Sequence, residues 1–127
     1  MIVLDASVMI AVLDSADAHS GAARELLRSH AADRLVAHRI NVAEVLVQPV
    51  RAQRAAQASA TLAHLGIEYD DEPDHPLVLA ELRANTGLPM PDCCVLHLAI
   101  RERAAIASFD ERLVRAARGL GLQIAGN

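Results

Sequence analysis

The chain contains no lysine and no tryptophan, and only one tyrosine, one phenylalanine and two cysteines. Because all twelve basic residues are arginines, mechanisms built on a lysine Schiff base, a P-loop lysine or a phosphate-binding ammonium are excluded. Sixteen acidic residues outnumber those arginines and set the formal net charge at -4, so no cationic field gathers nucleic acid or anionic lipid from a distance. The two cysteines, Cys93 and Cys94, are adjacent, a spacing that suits neither an ordinary disulfide nor a zinc knuckle or redox pair. They read as buried thiols. No apolar run approaches the length of a membrane span, and Ile2-Val3-Leu4 meets Asp5 with no leading basic segment, so neither a signal peptide nor a membrane anchor is expected. The expected location is the cytoplasm.

What the sequence has in abundance is small apolar residues. Ala, Leu, Val and Ile dominate a composition that is 53% hydrophobic over 127 residues, enough for a single domain spanning 1–127 with a full core and no disulfide or metal staples. Ile2 to Leu4 reads as a short central strand buried on both faces, with a helix from about Ser7. Residues 18 to 32 form an amphipathic helix, and Leu35 to Ala37 a second strand. Asn41 to Gln48 is helical, Pro49 interrupts it, and Val50 to Leu65 resumes as a helix closed by Gly66. Ile67 to Tyr69 is a third strand, followed by the acidic turn Asp70 to Asp74 and a helix over 76 to 85. After a loop marked by Gly87, Pro89 and Pro91, Asp92 to Arg103 is an almost wholly apolar and therefore buried helix. Ala105 to Ala107 is a fourth strand, Glu111 to Arg118 a helix, and Leu122 to Ile124 a fifth strand. Strands alternating with helices predict an α/β fold with a central parallel sheet of about five strands flanked by helices.

Four carboxylates interrupt apolar context: Asp5 after Ile-Val-Leu, Glu44 within Val-Ala-Glu-Val-Leu, Asp92 before Cys-Cys-Val-Leu, and Asp110 after Ile-Ala-Ser-Phe. Ionised carboxylates near a core are costly unless paired, hydrogen-bonded or bound to metal. Local explanations exist for three of them. Asn41 with Glu44 resembles a capping box, Asp92 suits a helix N-terminus, and Asp110 suits an N-cap. Asp5 has no obvious local partner. Two of the four follow parallel strands and two open helices, and in an open parallel sheet those positions share one edge, where ligands bind at a switch in strand order. Four carboxylates gathered there without lysine repel one another unless divalent cations sit among them. Oxygen ligands without suitably spaced His or Cys favour Mg2+ or Mn2+ over zinc, and such a site suits hydrolysis of phosphodiesters.

These residues resemble those of the PIN-domain ribonucleases, and specifically the VapC-like toxins of type II toxin-antitoxin pairs. The carriers are Val3-Leu4-Asp5-Ala6-Ser7, Asn41-Val42-Ala43-Glu44-Val45-Leu46, Pro91-Asp92 and Ser108-Phe109-Asp110, in that order along essentially the whole chain. The resemblance implies a PIN-like three-layer fold. It makes Asp5, Glu44, Asp92 and Asp110 the catalytic acidic quartet, with Asp5, Asp92 and Asp110 as ligands of Mg2+ or Mn2+, and Ser7, Asn41 and Ser108 in support. It further implies an endoribonuclease that uses a metal-activated water, acts as a homodimer and is neutralised by a VapB-like antitoxin whose C-terminal segment crosses the acidic groove. The helical hairpin from Val42 to Leu65 is the candidate to grip that segment, with Arg51 and Arg54 as candidate contacts to RNA or antitoxin. With so few aromatics, RNA recognition is expected to rely on shape and phosphates.

Other readings fit less well. The run Asp70 to Asp74 lacks the spaced ligands and glycine of a calcium loop and reads as a solvated turn. His97 reads as a hydrogen-bonded core residue, while His38 and Arg39 lie nearer the expected site edge. A haloacid-dehalogenase-like phosphatase needs a second Asp where Ser7 stands, and both it and a response-regulator receiver need a lysine. The alternative from another class is a catalytically weak PIN-fold module that binds or regulates.

Overall fold

The computed structural model describes residues 1–126. Strand β1 (Ile2–Leu4) leads into α1 (Ala6–Leu13) and α2 (Ser20–Ser29), and β2 (Leu35–His38) into α3 (Arg39–Arg51) and α4 (Ala55–His64). Then follow β3 (Ile67–Asp70), α5 (Pro76–Thr86), α6 (Met90–Glu102), β4 (Ala105–Ala107) and α7 (Glu111–Gly119). The sheet has four strands in the order β3-β2-β1-β4, every neighbouring pair parallel. The chain thus builds outward from β1 through β2 to β3, then crosses back to lay β4 on the other side of β1. The switch in strand order falls between β1 and β4, where an open α/β sheet forms its ligand crevice.

The strands alternate between two cores, as a period of two requires. Ile2, Leu4, Leu35, Ala37 and Ala107 join Val8, Met9, Val42, Val45 and Leu62 on one face, beneath α1 to α4. Val3, Val36 and Ile106 join Leu82, Val95, Leu96, Leu98 and Leu113 on the other, beneath α5 to α7. These are the three layers that the alternation of apolar runs predicts. Both cysteines are free and buried in α6, and burial pushes the Cys94 thiol up to about 11.

Three local expectations are corrected. The fifth strand contracts to a single parallel bridge, Ile106 to Ile124, flanked by bonds from the Ile106 N–H to the Gln123 carbonyl and from the Ala125 N–H to the Ile106 carbonyl, both 2.9 Å. Gly121 and Gly126, at φ 79° and 86°, turn the backbone on either side and leave room for no more than that. Pro49 does not interrupt its helix, since α3 runs through it to Arg51. The break comes at Gln53, which adopts the left-handed conformation at φ 58°, while the Pro49 carbonyl accepts from the Arg54 N–H at 2.7 Å. The amphipathic helix starts at Ser20 rather than Ala18, because Asp14 and Asp17 each accept a backbone N–H two residues ahead and turn the chain first.

A fourth correction concerns the acidic turn. Asp70 is the last residue of β3 and its side chain is 9% exposed, bonded at 2.6 Å to Arg101 of α6, which also reaches Glu72 at 3.5 Å. Asp74 accepts from His38 Nε2 and from Arg39, each at 2.8 Å. His38 in turn caps α3, its Nδ1 accepting the Ile40 N–H at 3.1 Å. Burial opposes the charge on Asp74, but the His38 bond, with Arg39 beside it, holds its carboxyl below the usual range. Charges that looked solvated therefore strap the segment after β3 to the sheet. His97 is buried in α6, where Nε2 accepts the His75 N–H at 3.4 Å.

Pro49 supplies no N–H to the helix in which it sits, so the intrahelical bond to the Val45 carbonyl is missing. Pro49→Ala is expected to stabilise the protein by about 2 kcal/mol, the helix penalty of proline less its stiffening of the unfolded chain. Urea unfolding of the two proteins checks this, with a raised midpoint at unchanged slope as the expected result.

Candidate active site

Asp5 stands at the end of β1, and its own N–H still continues the ladder to the Ala107 carbonyl at 3.2 Å. That bond places it beside the end of β4. Its backbone is extended, so its carboxylate caps α1 by accepting the Val8 N–H on Oδ1 at 3.1 Å. The expected helix start at Ser7 thus moves back to Ala6, and the carboxylate that lacked an obvious local partner has several. The Ser7 hydroxyl donates to Oδ1 at 2.6 Å and the Ser108 hydroxyl to Oδ2 at 2.5 Å. Each serine also accepts a backbone N–H from the loop after β4, Ser7 from Phe109 and Ser108 from Asp110, both at 2.9 Å.

Asp110 caps α7, accepting the Arg112 N–H at 2.9 Å and the Leu113 N–H at 3.4 Å. Asp92 lies in the first turn of α6. Asn41, 1% exposed, donates from Nδ2 to the Pro91 carbonyl at 3.1 Å and so fastens the start of α3 to the start of α6. This replaces the expected capping box, because α3 begins two residues earlier with His38 as its cap. Glu44, one turn further along α3, is exposed.

The four carboxylates act on one another. Burial raises the pKa of Asp92 first, then the charges of Asp110, Asp5 and Glu44 raise it further, to about 6, with Arg112 opposing them. Burial also pushes Asp5 up, against the hydrogen bonds from Ser108, Ser7 and the Val8 N–H. Ser7, Asn41 and Ser108 thus sit where they support the acids. Arg51 and Arg54 are exposed beyond the group, with Arg51 two turns past Glu44 and about 10 Å further along the helix axis. The cation that acts on Asp92 is Arg112, which the sequence reading did not single out.

The donor set is all carboxylate oxygen, which fits a hard divalent cation. Of the roughly four lone-pair sites of Asp5, three are engaged, leaving one on Oδ2. No three His, Cys, Asp or Glu side chains among the described residues close into a ready-made cage.

A second unanticipated feature adjoins the acids. The His19 ring lies flat on the Phe109 ring, with centroids 4.4 Å apart and planes 6° from parallel. Sequence carries no signal for it, because the two residues belong to the start of α2 and the loop after β4.

The chain matches the PIN domain family over residues 2–119 and belongs to it. Among curated proteins no sequence relative matches. Among solved structures, VapC20 of Mycobacterium tuberculosis, a toxin that cleaves the sarcin-ricin loop, is similar with a TM-score of 0.67 at 17% identity, over 91% of this chain and 95% of that one. PAE2754 of Pyrobaculum aerophilum is similar with a TM-score of 0.63 at 18% identity, over 93% and 80% of the two chains. At such identities the likeness is one of fold.

The acidity of Asp92 has a consequence for stability. The folded chain binds this proton more tightly than the unfolded chain, whose value is 3.8. Stability of the metal-free protein therefore falls as pH rises from about 4 to about 6 and levels off above that. Asp92→Asn removes the fall and is expected to stabilise the metal-free protein at pH 7 on the order of 1 kcal/mol, solvent screening part of the effect. Thermal melts in EDTA between pH 4 and 8 check this, and a variant that melts below wild type at pH 7 contradicts it.

Proposed function

We propose that this protein is a metal-dependent endoribonuclease of the VapC toxin type, hydrolysing phosphodiester bonds of RNA and held in check by a VapB-like antitoxin. The observation that carries the reading is the gathering of Asp5, Glu44, Asp92 and Asp110 toward the switch point of the sheet, where burial first, and then the charges of the other three, push Asp92 up to about 6. Membership of the PIN family and the likeness to VapC20 support it.

In this reading Asp5, Asp92 and Asp110 hold Mg2+, or Mn2+ in its place, with Glu44 completing the acidic group at the solvent side. A bound divalent cation there would make a water nucleophilic near neutral pH and stabilise charge on the leaving oxygen. The chain's own residues prepare the place. Ser7 and Ser108 fix both oxygens of Asp5, and the Asp110 cap fixes the fourth acid against α7. Asn41 holds α3 and α6 together and thereby sets the separation of Glu44 from Asp92. Because the four carboxylates repel each other, a divalent cation held there would offset part of their charge and so favour approach of an anionic substrate.

The antitoxin segment has a suitable bed. Two clefts of about 520 and 410 Å3 adjoin along α1, α2 and α4, sharing Val12 and Thr61, with Leu27 and Leu65 at one end and Pro49 and Arg54 at the other. An arginine of such a segment would be drawn to the carboxylates. Exposed Ile40, Val47 and Val50 along α3 offer a face for a second copy in a homodimer. No helix among the described residues is long and apolar enough to cross a membrane, and the reading places the protein in the cytoplasm.

The test is cleavage of a structured RNA by wild type, Asp5→Asn and Asp92→Asn, in Mg2+ and in EDTA. Wild type in Mg2+ is expected to cleave, EDTA to abolish cleavage, and each variant to lose at least about 100-fold in kcat/KM. Mg2+ is also expected to raise the melting temperature of wild type and not of Asp92→Asn. Equal cleavage under all conditions overturns the reading, and no cleavage with a retained partner favours a PIN-fold binding or regulatory module.

A further inference from the structure

We infer that His19 is a stacking platform for a nucleobase next to the cleaved phosphate, an inference that rests on the RNA-cleaving reading. Phe109 is half-buried against the core beneath α1 and α2, so its ring is anchored. Its backbone is fixed as well, since its N–H donates to Ser7 Oγ at 2.9 Å and its chain neighbours are Ser108, bonded to Asp5, and Asp110, the cap of α7. Consecutive Cα atoms lie about 3.8 Å apart, so the Phe109 backbone lies directly beside Ser108 and Asp110.

His19 covers one face of this ring, with centroids 4.4 Å apart and planes 6° from parallel. The residue is exposed, and its backbone is held by the Asp17 carboxylate, which accepts the His19 N–H at 2.8 Å, and by the first turn of α2, where the His19 carbonyl accepts the Ala23 N–H at 2.8 Å. Neither ring nitrogen has a hydrogen-bond partner among the described residues. The imidazole is thus exposed, with Phe109 stacked against one face and carried by the segment that also holds Asp110. Unpaired bases of RNA stack on aromatic and His rings, and each such contact contributes enough to change affinity about tenfold or more. A base laid on His19 extends the stack to three rings and presents the neighbouring phosphate to the carboxylates. In a chain with two conventional aromatics this is a way to orient single-stranded RNA without reading its sequence.

A purely structural role for His19 would be to shield Phe109 from water, and Leu in its place would do that equally well. The experiment compares wild type with His19→Leu, His19→Ala and His19→Phe in steady-state cleavage of a single-stranded RNA in Mg2+. His19→Leu and His19→Ala are expected to raise KM about tenfold with kcat within about twofold, and His19→Phe to retain the wild-type KM. On rapid mixing, before cleavage, 2-aminopurine placed next to the scissile phosphate is expected to be quenched by wild type and His19→Phe but not by His19→Leu. Wild-type KM and quenching in His19→Leu overturn the platform while leaving the nuclease intact. Absence of Mg2+-dependent cleavage and of quenching with wild type itself overturns both.

Discussion

The Asp5 carboxylate holds the two halves of the sheet's working edge together. It is 4% exposed, yet each oxygen is engaged: one by the Val8 N–H and the Ser7 hydroxyl, the other by the Ser108 hydroxyl. A buried charge left without such partners would be prohibitively costly, so the serines and the start of α1 are what allow an acid to stand at the end of a central strand. Because those serines each receive an N–H from the loop after β4, the same carboxylate determines where Phe109 and Asp110 sit. Everything attributed to the acidic group follows from that arrangement.

The polar interior is divided between two separate networks of different character. Around Asp5 the hydrogen bonds come from neutral donors, and burial first, then the neighbouring carboxylates, push Asp92 up to about 6 against Arg112. Beyond β2 and β3, Asp70 and Asp74 are matched by Arg101, Arg39 and His38, and the segment between β3 and α5 is tied down. One set gathers like charges, and the other pairs opposite ones.

Much of the architecture is legible from local pattern. Short apolar runs at 2–4, 35–37 and 105–107 are strands because both faces of a parallel sheet are covered there, while 67–69, with Glu68 and Tyr69 exposed, forms the edge strand; residues 93 to 100, apolar except for His97, form a buried helix. The anomalous positions of Asp5, Glu44, Asp92 and Asp110 are likewise visible, since a charge in apolar context is conspicuous whatever the fold. Less legible was the fate of Pro49, which the helix tolerates because it lies near the end of α3, and the last strand, which two glycines shorten to one bridge. In the sequence Asn41 resembles a cap, because its partner, Pro91, is fifty residues away.

By itself the sequence determined the alternation of strands and helices, the covered sheet and the four acids that do not belong in a core, because periodicity and burial cost act within a few residues. Tertiary structure alone decided the partners: Ser108 for Asp5 across 103 positions, Asp74 for His38 across 36 and Asp70 for Arg101 across 31. It also decided that His19 lies on Phe109 and that the charge of Arg112 acts on Asp92. A residue's type announces what it needs, a donor, a counter-charge or a flat face, but which neighbour supplies it depends on strand order and crossover, and these exist only once the layers have packed.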